Sequence, residues 1–208
     1  MALTTGLIAT YNLDGSYNNE LGTGYNGVLT GSVPFVSGKI GQGVSFSGSG
    51  TTNNINIGTP IIAGAGTVCG WFYPTLATGL QVAFGDSSLW KGIVFNYLVD
   101  GTVTAYAYTT SARFVRTSIT FNQWVHVAMT WNSVVLKLYV NGVYINQDSC
   151  VALFNTGNDV HIGPPPTRTF NGNIDMFNVF NIEKTQLEIQ QLMKKQYPFL
   201  NNKFFTLL

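Results

Sequence analysis

Charge is what this chain has least of. Lys, Arg, Asp and Glu make up 9% of its 208 residues and the formal net charge is +1, where about 25% charged residues is usual for a globular domain. No run of Lys or Arg interleaves with aromatics, so a phosphate-neutralising nucleic-acid surface is excluded. Long apolar runs are missing too, and without about eighteen uninterrupted apolar residues no helical membrane insertion is expected. The opening stretch MALTTGLIATYNLDG has neither a basic start nor a long apolar core, so no signal peptide is read in this sequence. Cysteine is scarce: Cys69 and Cys150 alone cannot build a disulfide framework in a domain of this size. Both fall in strand-like context, where buried free thiols are expected, with a bridge between them left open. The two Cys and two His are nowhere paired at zinc-ligand spacing. Neither Gly22–Gly24 nor Gly64–Gly66 has the Lys-Ser/Thr ending of a phosphate loop.

Aromatic and apolar residues are plentiful. Hydrophobic residues reach 45%, with 14 Phe, 10 Tyr and 4 Trp, enough to fill a core in a chain that can remove roughly 70% of its unfolded surface from water. The most regular stretch is QWVHVAMTWNSVVLKLYVNGVYI (123–145). It alternates, breaks at Asn132–Ser133, alternates again and turns at Asn141–Gly142, an antiparallel three-strand meander with a positive-φ hairpin turn. Leu136, Leu138 and Val140 share one face, Lys137 and Tyr139 the other. Short strands are also read at 7–12, 26–30, 43–47, 54–57, 67–73, 80–84, 92–97, 102–108, 159–163 and 173–180, with Gly, Asn, Ser and Pro between them. This spacing predicts an all-β fold, a sandwich or jelly roll. One helix is expected after Thr185, which with Glu188 forms a capping box. Leu187, Ile189, Leu192 and Met193 supply its apolar contacts, Lys194 and Lys195 suit its C-terminal end, and Pro198 stops it. The apolar tail at 196–208 is expected to dock on the domain or on another chain. No linker divides the rest, so residues 1–195 read as a single domain.

Taken together, 123–145, FNGNIDMFNVFNIEKTQLEIQQL (170–192), LIATYNLDGSYNN (7–19) and SGKIGQGVSFSGS (37–49) resemble laminin-G-like modules of the concanavalin A-like lectin and glucanase group. The resemblance spans about residues 7 to 195. It implies a two-sheet antiparallel jelly-roll sandwich with one short C-terminal helix, and ligands that meet the concave sheet or the loops of one rim. It also implies a rim calcium ion in many members, with Asp14 of the "LDG" motif and Asp175 of "NID" at positions similar to family acidic ones. Asp175 alternates with Phe177 and Val179 and is expected on their face. A carboxylate buried there must be paired, hydrogen-bonded or bound to metal; backbone amides, an Arg partner or calcium would each serve.

His126 lies on a strand face with Trp124 and Ala128, with no Ser or Cys nucleophile motif beside it, so a packing role is expected. His161, near a strand end, is a weaker candidate for ligand contact. Carboxylate catalysis needs two facing acids, yet only Glu20, Glu183 and Glu188 are Glu, the six Asp stand singly, and no Glu-x-Asp-x-Glu alternation occurs. The expectation is no enzyme. Sugar binding needs an aromatic face ringed by polar groups, and the candidates are Trp90 beside Lys91, Tyr106 and Tyr108 on one strand face, and Arg113, with Arg116, in the connection that follows. Asn158, Asp159 and Arg168 join them around the stiff Pro164–Pro166 run. The plainer alternative is that the tyrosines cover a sheet and Trp90 plugs a loop.

The chain is therefore read as a non-catalytic recognition module for glycan, a surface polysaccharide or a particle surface. The alternative is a virion structural protein, a capsid decoration, fibre or tail-appendage domain, assembling with virion or self subunits through its tail. A glycoside hydrolase ranks third. The expected location is the virion or an extracellular surface.

Overall fold

The computed structural model describes residues 2–48, 53–59, 64–76, 78–87, 91–108, 111–149 and 158–194. Among these residues, fifteen strands and one helix run in the order β1 (Leu7–Tyr11), β2 (Val28–Thr30), β3 (Phe35–Ser37), β4 (Gln42–Ser47), β5 (Asn54–Asn56), β6 (Gly66–Pro74), β7 (Gln81–Asp86), β8 (Lys91–Phe95), β9 (Thr102–Tyr108), β10 (Ala112–Ser118), β11 (Val125–Trp131), β12 (Val135–Val140), β13 (Val143–Ser149), β14 (Val160–Ile162), β15 (Asn171–Phe180) and α1 (Gln186–Lys194). All strand pairs are antiparallel. One sheet has eight strands, in the order β13-β12-β11-β6-β15-β4-β3 with β1 also paired to β15; the other has seven, β10-β9-β8-β7-β14-β5-β2. This is the expected two-sheet jelly roll.

Alternation builds the core. Val125, Val127, Met129 and Trp131 of β11, Leu136 and Leu138 of β12, and Phe72 of β6 meet Phe84, Ile93, Phe95, Val103 and Ala105 of the opposite sheet in one buried cluster. The Asn141–Gly142 turn has φ of 50° and 75°, as its sequence predicts. The Asn141 side chain also accepts the backbone N–H of His126 at 3.0 Å, tying the turn to β11.

A second apolar layer lies outside the eight-stranded sheet. Ile189 and Leu192 of α1 cover Cys69, Ala128, Tyr139 and Phe180. The capping box is formed: Glu188 accepts the Thr185 N–H at 2.9 Å, and Thr185 Oγ1 accepts the Glu188 N–H at 3.3 Å. Thr185→Ala is expected to cost about 1 kcal/mol, the usual worth of a lost N-cap, read as a lower urea midpoint at unchanged m-value. Cys69 is a free, fully buried thiol whose pKa burial pushes up to about 12, partly offset by Lys184 and Asn178. In a Cys150→Ser background it should resist a thiol reagent until urea unfolds the chain. Cys150 and the 196–208 tail lie outside the described residues, as does Pro198.

Three segments differ from the sequence reading. Residues 35–37, where no strand is expected, form β3, paired with β4 from Phe35↔Val44 to Ser37↔Gln42. Residues 112–118, expected as a polar connection, form edge strand β10, in register with β9 from Ala112↔Tyr108 to Ser118↔Thr102. In β15 the pairing with β6 slips between Asp175 and Asn178, and Met176 takes φ 50°. That bulge turns Asp175 to the outer face, opposite Trp71, while Phe177 and Val179 point into the core. Asp175 is thus buried on the opposite face from the one its alternation predicts. Among the described residues, no helix is long and apolar enough to cross a membrane.

Candidate functional site

The outer face of the seven-stranded sheet carries the densest group of expected binding residues. Strand register sets one row across it: Asn56 of β5, His161 of β14, Gly85 of β7, Gly92 of β8, Tyr106 of β9 and Phe114 of β10. Val82, Val94, Thr104 and Arg116 form the next row. The two middle positions of the first row are glycines, so no side chain stands between the histidine side and the tyrosine side. Three strand steps separate these sides, about 14 Å.

The tyrosine side is an aromatic cluster. Tyr97 and Tyr106 have ring centroids 4.7 Å apart, and Tyr97 meets Phe114 edge-on at 5.4 Å. The Arg116 guanidinium lies 5.3 Å from the Phe114 centroid and donates to the Tyr97 carbonyl at 3.3 Å. Such a planar cation on a ring face adds about 0.5–1 kcal/mol when exposed. Val82 and Val94 pack beneath. Burial, a hydrogen bond with Tyr97 and the neighbouring phenols push the Tyr106 pKa up to about 12, so its hydroxyl remains a donor at any physiological pH. Tyr108, two residues on, is 37% exposed and extends this face toward solvent.

The histidine side is polar. Asn56 donates to Asp159 Oδ2 at 2.8 Å. His161 is buried, and its Nδ1 has no hydrogen-bond partner. Burial lowers its pKa, opposed by Asp159, Asp86 and the Gly85 backbone. Asp159 is exposed and Asn158 half-buried.

The remaining expected residues sit elsewhere. Arg113 falls opposite Ala107, a core residue, and so turns away from the aromatic face. Its guanidinium is 3.8 Å from Asp148 of β13, linking the edges of the two sheets. Arg168 is half-buried in the loop before β15, its N–H donating to the Pro165 carbonyl at 3.1 Å. Trp90 lies outside the described residues. Tyr97 and Phe114 complete the aromatic cluster without having been singled out as binding residues. The alternation of Phe114 with Arg116 in ARFVRTS, read as a strand opposite TVTAYAY, is the signal that finds Phe114.

On the other sheet, His126 is buried against Trp71, ring centroids 5.4 Å apart, with Nδ1 unpartnered. Desolvation drops its pKa to about 3, so it is a neutral packing group.

Asp14 and Asp175 are brought to one glycine turn, residues 38–42. Asp175 Oδ2 accepts the Ile40 N–H at 3.0 Å, and Asp14 Oδ1 accepts the Gln42 N–H. A Cβ on Gly38 would sit 2.7 Å from Asp175 Oδ2, and one on Gly41 2.5 Å from Asp14 Oδ1, so only glycine lets the turn close over these carboxylates. Asp175 is fully buried, and Oδ1 has no hydrogen-bond partner. Burial raises its pKa to about 7, opposed by the backbone amides of Ile40, Lys39 and Met176 and pushed further by Asp14. Among the described residues no three His, Cys, Asp or Glu side chains gather as a metal cluster.

Comparison with curated proteins by sequence gives no match. Solved structures match in fold. Domain 4 of AbnA, a GH43 extracellular arabinanase from Geobacillus stearothermophilus solved with arabinotriose, superposes with a TM-score of 0.79 at 20% identity, covering 90% of this chain and 98% of that one. The binding domain of Paraclostridial Mosquitocidal Protein 1 gives 0.76 at 15% identity, over 92% and 52%. The binding domain of Botulinum Neurotoxin DC in complex with SialylT gives 0.73 at 14%, over 92% and 52%. The chain thus spans about half the length of these two toxin domains and nearly all of the arabinanase domain. A family model described as the concanavalin A-like lectin/glucanases superfamily, of laminin-G type, matches residues 47–190. With that match over most of its length and the two-sheet jelly roll beneath it, the chain belongs to the laminin-G-type branch of the concanavalin A-like lectin/glucanases superfamily.

Proposed function

We propose that this protein is a non-catalytic module that binds glycan through the outer face of its seven-stranded sheet. The carrying observation is the cluster of Tyr97, Tyr106 and Phe114 under Arg116, with Tyr108 exposed beside it. Aromatic rings meet the C–H face of a sugar, while the Tyr106 hydroxyl, Arg116 and the Asn56–Asp159 pair suit its hydroxyls. The arabinanase domain supports the reading, since this chain spans nearly all of a domain solved with an oligosaccharide. That enzyme is extracellular, and an extracellular or particle surface is the natural setting here too. Particle assembly keeps only its sequence argument, because the tail that motivates it lies outside the described residues.

The non-catalytic part is supported by how the acids are committed, Asp159 on the binding face taking Asn56 and the two Glu near α1 being held in place. Glu183 takes Lys137 and Asn132, and Glu188 takes Thr185 and Lys184, so neither is free to act on a sugar bound across the other sheet. Calcium is proposed at the 38–42 turn. The unpartnered Asp175 Oδ1 and the nearby Asp14 fit a hard cation that takes oxygen ligands, with backbone carbonyls and water completing the shell. The ion would fix the turn and neutralise two carboxylates.

Isothermal titration with arabinotriose, xylotetraose and cellotetraose tests the glycan reading. Binding by at least one is expected, with Tyr108→Ala and Arg116→Ala each weakening it roughly tenfold or more, the scale of losing a central aromatic or Arg anchor. Binding unchanged in both variants, or absent with all three sugars, would defeat it.

A further inference from the structure

The eight-stranded sheet has an outer face that α1 covers only in part. The helix lies over Cys69, Ala128 and Tyr139. The next row along the strands is His126, Trp71, Asp175, and the row beyond it pairs Tyr73 with Asn173 and Asn173 with Ser45. Trp124, one residue before β11, stands against Tyr73 with ring centroids 5.6 Å apart at 66°. Asn171 continues the same face, its side chain accepting from Thr75 Oγ1 at 2.8 Å.

Three large rings, Trp71, Tyr73 and Trp124, therefore sit half-buried on one surface. Their backs are held. Trp71 meets His126 edge-on at 5.4 Å, and the exposed Lys39 lays its ammonium 4.5 Å from the Trp71 centroid. Apart from Lys39 and the buried Asp175, the side chains around them are uncharged hydrogen-bonding groups: Asn173, Ser45, Asn171 and Thr75. A protein-docking face would mix aliphatics into such a patch; this one has rings and amides, and its one exposed cation is already engaged with a ring.

We propose that this face is a second, independent glycan site. It takes a neutral oligosaccharide, whose apolar ring face stacks on Trp124 beside Trp71, where Lys39 covers one ring face, and whose hydroxyls meet Asn173 and Ser45. Packed rings lose little entropy on binding, and Trp71 of β6 with Trp124 at the start of β11 offers contacts to consecutive sugar units. The inference rests on the chemistry of the sugar-binding reading but uses none of the residues of the seven-stranded sheet, so either site can stand without the other. Two faces on opposite sides would make the module bivalent and able to bridge polysaccharide chains.

The test follows the indole N–H signals of Trp71 and Trp124 by NMR in the full chain, with arabinotriose, xylotetraose and cellotetraose as probes. At least one probe should shift both signals. Trp124→Phe and Asn173→Ala should each weaken affinity read at the Trp71 signal at least fivefold while the backbone spectrum stays native, and Tyr108→Ala should leave it unchanged. A sugar that binds and leaves both indoles silent overturns this proposal and spares the other face. Indole shifts with Tyr108→Ala and Arg116→Ala both without effect on affinity do the reverse. No binding of any of the three probes, by titration or by NMR, defeats both. Indole signals that move on dilution, or on deletion of residues 196–208, with no sugar present would assign the face to a second copy or to the C-terminal segment and overturn the proposal.

Discussion

Asp175→Asn is expected to abolish the response of this protein to calcium and to remove one step from the pH dependence of its stability. Burial raises the Asp175 pKa from its ordinary 3.8 to about 7. The folded state therefore holds this proton more tightly than the unfolded chain does. Stability from the protonated form is complete below about pH 4 and is lost as pH rises through about 7. At pH 8 the ionised side chain costs up to about 4 kcal/mol, at 1.36 kcal/mol for each pKa step between the two values. The two histidines act in the opposite sense. His126 is lowered to about 3 and His161 is lowered as well, so their stabilisation is present above about 6.5 and lost as pH falls. The wild-type curve sums these slopes, and the difference between the Asp175→Asn variant and wild type isolates Asp175. Without calcium, that difference should rise in the variant's favour from pH 4 to pH 7 and then level. With millimolar calcium at pH 8 the wild type should gain several degrees in Tm, because the ion binds the folded state alone, while the variant gains nothing. Equal calcium shifts in both proteins, or a difference flat with pH, would remove Asp175 from the site.

How much of this was legible in the sequence depends on whether a local pattern carried it. The Asn141–Gly142 turn, the Thr185–Glu188 capping box and TVTAYAY as a strand all stand as read, since each is decided by residues within a few positions. Strand β10 was missed because Arg113 and Arg116 make 112–118 look like a connection. Only opposite β9 does the alternation of Phe114 and Arg116 gain a face. Asp14 and Asp175 were singled out together by resemblance, and the structure does bring them to one turn. The face of Asp175 could not be read, because a bulge inserts one residue with no fixed signature and reverses every face on one side of it. The binding candidates divide by the same logic. Tyr106 and Tyr108 share a strand and stay together. Arg113 lies on the face away from them, across one residue of parity, and Tyr97 joins them from beyond the end of β8.

Gly92→Ala should be the most damaging single change in the aromatic face, although it touches no ring. The pairing of β7 with β8 is irregular between Val82 and Phe84, and this brings the Phe84 carbonyl across β8. A Cβ at Gly92 would lie 1.9 Å from that oxygen and 2.9 Å from the Gly85 Cα. Neither is a side-chain tip that can swing aside, so the strands must part. A core strand forced apart loses ladder hydrogen bonds and the packing of Ile93 and Phe95, and a cost of at least about 3 kcal/mol is expected. For a domain of this length that is about 6–12 °C in Tm. Gly101→Ala is the control. Gly101 has φ 75° with nothing within 4 Å of an added Cβ, so it should lose only about 1 kcal/mol, from backbone strain. If the Gly92 variant folds, β8 no longer holds β9 at its present spacing from β7, and sugar affinity at Tyr106 and Tyr108 should fall with stability while the Trp71–Trp124 face keeps its own. A Gly92 variant as stable as Gly101→Ala would mean that β7 and β8 do not cross as closely as this register requires.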